Sequence, residues 1–202
     1  MAGATPTPDF ARIRLDTATI AAGRTFGRIH RQAWPDPLGF GKHASRFSDP
    51  RRRVDANRFG VLYLGSTLKV CFLETIMRDQ RDAVVGDLLI AEAEITDRLY
   101  SQVSVTQALT LIDLRGDAPV RMGIPSDVVR GRSQTLARRW SLAMHEHPDR
   151  IDGLIYPSRL NTEINLAIYD RAVAKLSPTS TQQLDRTPGI SRLLDDFQVA
   201  LT

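Results

Sequence analysis

The segment from residue 59 to residue 79 constrains the fold more than any other part of the sequence. Residues 59–64 form an apolar run of strand length, and the Gly65 and Ser66 that follow are typical of a turn. A helix is predicted over residues 68–79, with Ser66 or Thr67 as its cap. Because apolar residues occupy two of its sides, we expect this helix to be buried over much of its surface. These residues are Leu68, Cys71, Phe72 and Ile76 on one side, and Val70, Leu73 and Met77 on the other.

Glu74 is a carboxylate within the most apolar part of this helix. Burying it costs free energy unless it has a partner or a chemical task, so on the pattern alone a single solvent-exposed stripe is the simpler explanation. Tyr63 lies at the end of the preceding strand, where a strand–turn–helix unit can place both side chains in one cleft. On its position alone, an ordinary aromatic residue of a strand is again the simpler explanation.

The rest of the pattern mixes strands and helices without a strict β-α-β rhythm. A second helix is predicted over residues 132–145 and ends before Pro148. We therefore predict an α/β (α+β) domain with largely antiparallel pairing rather than a doubly wound parallel sheet. The other strands are predicted over residues 24–30, 89–95, 109–114, 153–156 and 164–169.

Three regions are predicted along the chain. Residues 1–20 form an N-terminal arm, residues 21–176 form the folded domain, and residues 177–202 form a linker followed by a short amphipathic helix. The apolar stripe of that helix can dock on the domain or on a partner, and docking on the domain is the favoured prediction. The stripe consists of Ile190, Leu193, Leu194 and Phe197.

Composition limits the class of protein and its location. No apolar run approaches the roughly 18 residues of a membrane-spanning helix, and residues 1–8 lack the features of a secretory signal, so a cytoplasmic protein is expected. The single cysteine, Cys71, excludes an internal disulfide framework and is expected in the core. Three of the 27 basic residues are lysine and the others are arginine, which suits phosphate recognition but equally fits a GC-rich genome.

Several common catalytic and nucleotide-binding motifs are absent from the sequence. There is no Gly-x-Gly-x-x-Gly after a strand, no Walker loop and no Gly-x-Ser-x-Gly elbow. His145 and His147 lie near a helix end without the His-Glu-x-x-His spacing of a zinc site. A solvated helix end, and no metal site, is therefore predicted there.

Four short motifs, in a fixed order, resemble those of RES domains, a family named for its Arg, Glu and Ser. Gly-Arg-Thr-Phe-Gly-Arg-Ile at residues 23–29 and Ala-Ser-Arg-Phe-Ser-Asp-Pro at residues 44–50 are similar to the two arginine motifs. Residues 60–66, running on to residues 71–75, resemble the tyrosine strand and the glutamate helix. Gly-Leu-Ile-Tyr-Pro-Ser-Arg at residues 153–159 resembles the late serine motif, so the ordered set spans most of the chain.

The resemblance implies an ADP-ribosyltransferase-like fold, with mixed, largely antiparallel sheets and helices around a central cleft that binds NAD⁺. It also implies a toxin of a bacterial toxin–antitoxin system, an enzyme that consumes NAD⁺ as its substrate without a metal. By position, Glu74, Arg46 and Tyr63 are the implied catalytic residues. The implied NAD⁺-binding residues are Arg28, Arg46, Tyr63 and Ser158.

These residue types fit cleavage of the bond between nicotinamide and ribose. Nicotinamide leaves as a neutral group, so no acid is needed, and the ribose develops oxocarbenium character that Glu74 can stabilise. Arg28 and Arg46 can bind the pyrophosphate through charge-assisted hydrogen bonds, although solvated surface positions explain both arginines without the resemblance. Tyr63 offers a flat face to nicotinamide, and Ser158 offers a hydroxyl that orients the ribose or the amide.

Departures from the family pattern affect the acceptor of ADP-ribose. Ser48 stands where the family usually has Asn, and Ile29 stands where it often has an aromatic residue. These departures slightly favour protein mono-ADP-ribosylation over a phosphorylase or glycohydrolase that depletes cellular NAD⁺. The expected partners are an antitoxin protein that covers the cleft and a protein acceptor, with no membrane and no nucleic acid except through the antitoxin.

Two other classes of function remain open. An arginine-rich nucleic-acid-binding module would use basic residues as one face, but aromatic residues are few and are not interleaved with the arginines. A partner-binding protein that has lost catalysis would no longer assemble the implied site in one cleft. The basic residues of the first alternative are Arg51, Arg52, Arg53, Arg58, Arg130, Arg132, Arg138 and Arg139.

Overall fold

Strands form the framework of the structure, a computed structural model that describes residues 4–51 and 55–202. Within these residues the strands are β1 (Thr17–Ile20), β2 (Thr25–Arg31), β3 (Val61–Gly65), β4 (Leu88–Ile90), β5 (Arg98–Val105), β6 (Leu109–Asp113), β7 (Gly153–Pro157), β8 (Ile164–Tyr169), β9 (Leu176–Gln183) and β10 (Val199–Leu201). Eight of them form one sheet in the order β1-β6-β7-β8-β3-β2-β5-β9, and β10 pairs with β4 in a second sheet. Neighbours in the large sheet are antiparallel, except that β6 and β7 are parallel.

Short helices accompany the strands in the described part of the chain. They are α1 (Leu68–Phe72), α2 (Ala93–Thr96), α3 (Ala118–Arg121), α4 (Ser126–Arg130), α5 (Thr135–His145) and α6 (Ile190–Asp196). Thr67 caps α1, because its hydroxyl accepts the backbone N–H of Val70 at 3.1 Å. The chain then continues from α1 into a π-helical turn over Leu73–Met77. None of these helices is long and apolar enough to cross a membrane.

The mixed architecture confirms the predicted fold class, an α+β domain with a largely antiparallel sheet. Residues of β7 and β8 alternate between two hydrophobic clusters, because successive side chains of a strand point to opposite faces. Leu154 and Ala167 enter the cluster that packs against α5, whereas Ile155 and Leu166 enter the other cluster. With both faces buried, these central strands are continuous apolar runs in the sequence rather than alternating ones.

The C-terminal helix α6 docks on the domain itself, as favoured from its apolar stripe. Ile190 and Leu193 are buried in a cluster with Phe72 of α1 and Ile76 of the π-helical turn. The other two residues of the stripe, Leu194 and Phe197, pack against the same cluster. This end of the chain therefore supports the helical segment that carries Glu74.

The predictions of a loose arm and of a linker are wrong where these segments form strands. The predicted arm contains β1, which pairs with β6, and its Phe10 is only 5% exposed. The predicted linker contains β9, which pairs with β5 as an edge strand of the large sheet. An edge strand keeps much of its side-chain surface in water, so β9 is polar enough to resemble a linker in the sequence.

The predicted strand over residues 89–95 is also wrong, because this segment is divided between β4 and α2. The strand β5, which the sequence analysis did not predict, runs between β2 and β9. It contains Ser101, a fully buried polar residue whose Oγ hydrogen-bonds to His30 Nε2 at 2.9 Å. Such a polar residue is tolerated inside a sheet because the neighbouring strand provides its partner, which the local sequence does not reveal.

Replacing Ile190 by Ala tests the docking of α6 on the domain. Ile190 is 3% exposed, so we expect the free energy of unfolding to fall by about 2–5 kcal/mol, from the lost burial and the cavity left behind. Urea denaturation measures the change. The control is Asp195→Ala on the exposed side of the same helix, for which we expect a change within about 0.5 kcal/mol. Equal effects of the two variants would contradict the docking.

Candidate active site

A cavity of about 370 Å³ lies between the strands β2 and β3, the helical segment after β3 and the loop before it. Arg28, Arg46, Tyr63 and Glu74 line this cavity, and the fifth implied residue, Ser158, hydrogen-bonds to Glu74. The structure therefore brings together all the residues that the family resemblance implied. A partner-binding protein that had lost the site would lack this arrangement.

The turn after β3 brings the helical segment close to the strand. A Cβ atom at Gly65 would lie 2.7 Å from both Cys71 Sγ and Val70 Cγ1, so a larger residue does not fit without a shift. Cys71 is 5% exposed, which confirms the predicted core position, and burial raises the pKa of its thiol to about 12. The thiol therefore stays protonated at neutral pH and is not a nucleophile.

Glu74 lies in the π-helical turn and is half-buried at the cavity wall. A π-helical turn holds more residues than an α-helical one, and such turns are frequent at functional sites. Ser158 Oγ donates a hydrogen bond to Glu74 Oε1 at 2.7 Å, and Asn165 Nδ2 donates to the same oxygen at 3.1 Å. The exposed stripe expected from the sequence is thus wrong for Glu74, because this side of the helix faces the cavity.

Tyr63 holds the loop that carries Arg46. Its hydroxyl oxygen accepts the backbone N–H of Phe47 at 2.9 Å and shares a hydrogen bond with Ser45 Oγ at 2.9 Å. Burial raises the pKa of Tyr63, against smaller opposing effects of these two hydrogen bonds, so the side chain is a neutral phenol. The ring forms part of the cavity wall while the hydroxyl fixes the residues on both sides of Arg46.

Arg46 is a buried cation, with an exposed fraction of 7%. Its hydrogen bond runs from Nη1 to Val128 O at the long distance of 3.5 Å, and no carboxylate in the described residues forms an ion pair with it. Burial lowers the pKa of Arg46, and the nearby charges of Arg78 and Arg159 lower it further. Because a buried charge without a partner is costly, this side of the cavity is suited to an anion.

Arg28 on β2 supplies a second cation to the cavity wall. It is half-buried, and its Nη1 donates to Pro37 O at 2.6 Å. Burial lowers the pKa of Arg28 to about 10, against a smaller opposing effect of Asp36. No ion pair joins it to a carboxylate within residues 4–51 and 55–202. The solvated surface position that composition alone favoured is therefore wrong for Arg28 and for Arg46.

The cavity also contains residues to which the sequence analysis gave no role, namely Arg78, Tyr156, Arg159 and Asn165. Arg78 follows Glu74 by about one helical turn, a spacing that places both on one face. Arg159 pairs with Asp79 at 2.6 Å, so part of the positive charge is neutralised. No sequence signal points to Asn165, because only the register that pairs it with Tyr156 brings it to the cavity.

Ser48, one of the departures from the family pattern, does not line the cavity. Its Oγ accepts the backbone N–H of Ser45 at 2.9 Å and donates to the Ser45 carbonyl oxygen at 3.1 Å. The side chain therefore closes its own turn and helps to shape the loop that presents Arg46. Ser48 is therefore not part of the cavity lining, whereas the other departure, Ile29, is.

The segment around His145 and His147 is packed rather than solvated, so the predicted solvated helix end is wrong. His147 is 3% exposed, and the His145 ring stacks on Phe59 with a centroid distance of 4.1 Å. Burial, assisted by Arg171, lowers the pKa of His145 to about 4, so its ring is neutral at pH 7. No group of three His, Cys, Asp or Glu side chains in the described part of the chain is placed to hold a metal ion.

Arg51, one of the basic residues of the nucleic-acid alternative, is engaged in ion pairs. It contacts Asp49 at 2.6 Å and Glu146 at 2.9 Å. Arg52 and Arg53 lie outside the described residues. The guanidinium of Arg51 therefore binds carboxylates of the domain, which argues against a role for Arg51 in binding nucleic acid.

The chain is similar to known proteins in sequence and in fold. The profile of the RES domain matches residues 22–187. The chain is 39% identical over 126 residues to the protein named Probable toxin y4kH of Sinorhizobium fredii (strain NBRC 101917 / NGR234), which covers 62% of this chain and 99% of that protein. A chain in the crystal structure of the M. tuberculosis MbcT-MbcA toxin-antitoxin complex superposes with a TM-score of 0.61 at 19% identity, covering 89% of this chain and 91% of that one. At 19% identity the likeness to this chain of the MbcT-MbcA complex concerns the fold alone.

Replacing Tyr63 by Phe keeps the ring and removes the hydroxyl that holds the Arg46 loop. The backbone N–H of the fully buried Phe47 then loses its acceptor, so we expect the free energy of unfolding to fall by about 1–3 kcal/mol in urea denaturation. Tyr100→Phe is the matched control, because the described residues offer no hydrogen bond to the hydroxyl of this 8% exposed tyrosine. If Tyr63→Phe lowered the free energy of unfolding no more than Tyr100→Phe does, the hydroxyl of Tyr63 would not hold the loop.

Proposed function

The chain belongs to the RES domain family, and we propose that it is a toxin of a bacterial toxin–antitoxin pair that cleaves the bond between nicotinamide and ribose in NAD⁺. The observation that carries this proposal is the composition of the cavity. In it, the anchored carboxylate of Glu74 lies with two arginines, Arg28 and Arg46, that have no carboxylate partner among the described residues. The likeness to Probable toxin y4kH supports the role of a toxin.

The carboxylate of Glu74 has the chemistry that cleavage at the nicotinamide ribose needs. Nicotinamide departs as a neutral molecule, so the bond breaks without a general acid and leaves positive charge on the ribose. A fixed carboxylate stabilises that charge most when it is already oriented before the reaction, since no reorganisation is then required. The hydrogen bond from Ser158 contributes to this orientation.

The pyrophosphate of NAD⁺ is the proposed anion for Arg28 and Arg46. A guanidinium binds phosphate oxygens through two parallel hydrogen bonds, and such bonds strengthen in a buried site. The cavity volume of about 370 Å³ is near the lower end of the range of about 300–1,000 Å³ for small-molecule sites. The nicotinamide ribose therefore occupies the cavity in this proposal, while the adenosine extends towards its opening and Tyr63 contributes its ring to the wall.

ADP-ribose then needs an acceptor, and a protein side chain, phosphate and water are the candidates. The preference for a protein side chain rests on two departures from the family pattern, of which Ile29 lines the cavity and Ser48 bonds within its own turn away from the lining. Arg78 and Arg159 bring positive charge near Arg46, and because both pair with the single carboxylate of Asp79, one of their two charges remains in excess. This excess favours phosphate, so phosphorolysis of NAD⁺ is a second candidate beside protein mono-ADP-ribosylation.

An antitoxin that covers the opening of the cavity is the proposed partner. A protein that depletes NAD⁺ or modifies a protein of its own cell needs an inhibitor that is made with it, and blocking the cavity is the direct route. The cytoplasm, where cellular NAD⁺ and the antitoxin are available, is the proposed location. The fold is the one seen in a chain of the MbcT-MbcA toxin-antitoxin complex.

Nicotinamide release from NAD⁺ tests the proposed activity. We expect the purified protein to release nicotinamide, and Glu74→Gln to lower the rate by about 10²–10³-fold because the charge that stabilises the ribosyl cation is lost. Mass spectrometry follows nicotinamide and the ADP-ribose product in buffer alone, with phosphate and with a cell extract. The three conditions distinguish water, phosphate and a protein as the acceptor.

Glu92→Gln is the matched control for this experiment, because Glu92 is exposed and lies outside the cavity lining. Both variants should unfold at the urea concentration of the wild type, so that a loss of rate reflects chemistry and not folding. Absence of nicotinamide release by the wild type in every condition would overturn the proposed activity. Full activity of Glu74→Gln would overturn the role of Glu74 alone.

Replacing Arg46 by Lys tests the contact with the pyrophosphate. Lysine keeps the positive charge and loses the planar fork, so we expect the KM for NAD⁺ to rise by about 10–100-fold, the equivalent of one or two charge-assisted hydrogen bonds. Initial rates over a range of NAD⁺ concentrations give the value. Arg139→Lys on the exposed side of α5 is the control and should leave KM unchanged. An unchanged KM for the first variant would place the pyrophosphate elsewhere.

A further inference from the structure

We infer that Asn165 is a positioning residue, which holds the carboxylate of Glu74 in its reacting orientation together with Ser158. The inference rests on the proposed function of Glu74. It adds a residue that belongs to none of the motifs through which the sequence resembles RES domains. The contacts, the placement and the chemical type of Asn165 all support it.

The two hydrogen bonds to Glu74 end on the same oxygen atom. Ser158 Oγ lies 2.7 Å from Glu74 Oε1, and Asn165 Nδ2 lies 3.1 Å from it. In the described structure, Glu74 Oε2 accepts no hydrogen bond from the protein. Two donors on one oxygen fix the rotation of the carboxylate and leave the other oxygen available to a ligand. A single donor would leave the carboxylate free to turn about that bond.

Asn165 occupies one of the most constrained positions of the sheet. It lies on β8, which is flanked by β7 and β3, and its Cα partners are Tyr156 on one side and Gly65 on the other. The residue is 5% exposed. Its backbone is therefore held by two neighbouring strands, whereas the turn that carries Glu74 is held by the packing of its apolar side chains. Asn165, on the sheet, therefore positions the Glu74 carboxylate, and not the reverse.

An asparagine is an unfavourable choice for this position unless its side chain has a task. Asn is depleted in strands, and its neighbours Ile164 and Leu166 belong to an apolar strand. Burying an amide costs free energy that a hydrogen bond only offsets, so an apolar side chain would serve the sheet better. The hydrogen bond that Asn165 donates goes to Glu74. The unfavourable residue type is therefore explained by its contact with the carboxylate.

The test combines two variants of Asn165 with a variant of Glu74. Asn165→Leu and Asn165→Ala remove the donor, the first with little change in volume and the second with the least demand on packing. We expect kcat for nicotinamide release to fall by about 10–100-fold, since a misplacement of about 1 Å has an effect of this size, while KM for NAD⁺ changes by less than about twofold. In the background of Glu74→Gln, the same substitutions should have no further effect on the residual rate.

Gln102→Ala is the matched control, because Gln102 is an exposed amide on β5 of the same sheet and lies outside the cavity lining. Only an exposed side chain is lost, so kcat should stay at the value of the wild type. An unchanged kcat for both Asn165 variants would overturn the inference. A loss that is equally large in the Glu74→Gln background would overturn it too, since Asn165 would then not act through Glu74.

Crystal structures of Asn165→Leu and of the wild type provide a readout that does not depend on activity. We expect the Glu74 carboxylate to be displaced by about 1 Å or more in the variant, with β8 unchanged. A carboxylate that superposes on that of the wild type would overturn the inference. If the wild type released no nicotinamide, the proposed function would fail, and these structures alone would decide whether Asn165 positions Glu74.

Discussion

The hydrogen bond from Ser158 to Glu74 joins the two parts of the molecule on which the cavity depends. Glu74 belongs to the π-helical turn after β3, and Ser158 follows β7. Asn165 reinforces the same contact from the centre of the sheet. A half-buried carboxylate in an apolar helix is stable only with such donors, and the contact at the same time orients the group for chemistry.

The arginine side of the cavity depends on the hydrogen bonds that hold the loop of Arg46. Arg46 lies on a loop that the hydroxyl of Tyr63 holds in position. The side chain of Ser48 closes the turn within this loop. Burial of this guanidinium without a carboxylate costs stability, which the surrounding core must offset. Local unfavourable features of this kind are expected at functional sites, because a site prepared for a ligand is incomplete without it. The cavity therefore holds one anchored negative charge, that of Glu74, and two arginines, Arg28 and Arg46, that no carboxylate of the described residues pairs with.

The sequence predicted the central elements well and the polar ones poorly. The strand within residues 59–65, the turn that begins at Ser66 and the helix that Thr67 caps follow from local apolar pattern and turn chemistry, although Gly65, predicted in the turn, is the last residue of β3. The strand β9 was mistaken for a linker, because an edge strand keeps its polar side chains in water. The strand β5 was missed, because Ser101 finds its partner His30 on the neighbouring strand. Both strands form because of hydrogen bonds to neighbouring strands, and these cannot be predicted from the local sequence pattern.

The sequence by itself determined the fold class and the order of the motifs that carry Arg28, Arg46, Tyr63, Glu74 and Ser158. Short-range pattern suffices for this, because apolar periodicity and capping residues act within a few positions. Only the tertiary structure decided that Glu74 faces a cavity instead of water, that Tyr63 uses its hydroxyl to hold a loop, and that Asn165 reaches the carboxylate. The physical reason is that each of these contacts joins residues far apart in the chain, and strand register and helical phase determine which of them meet.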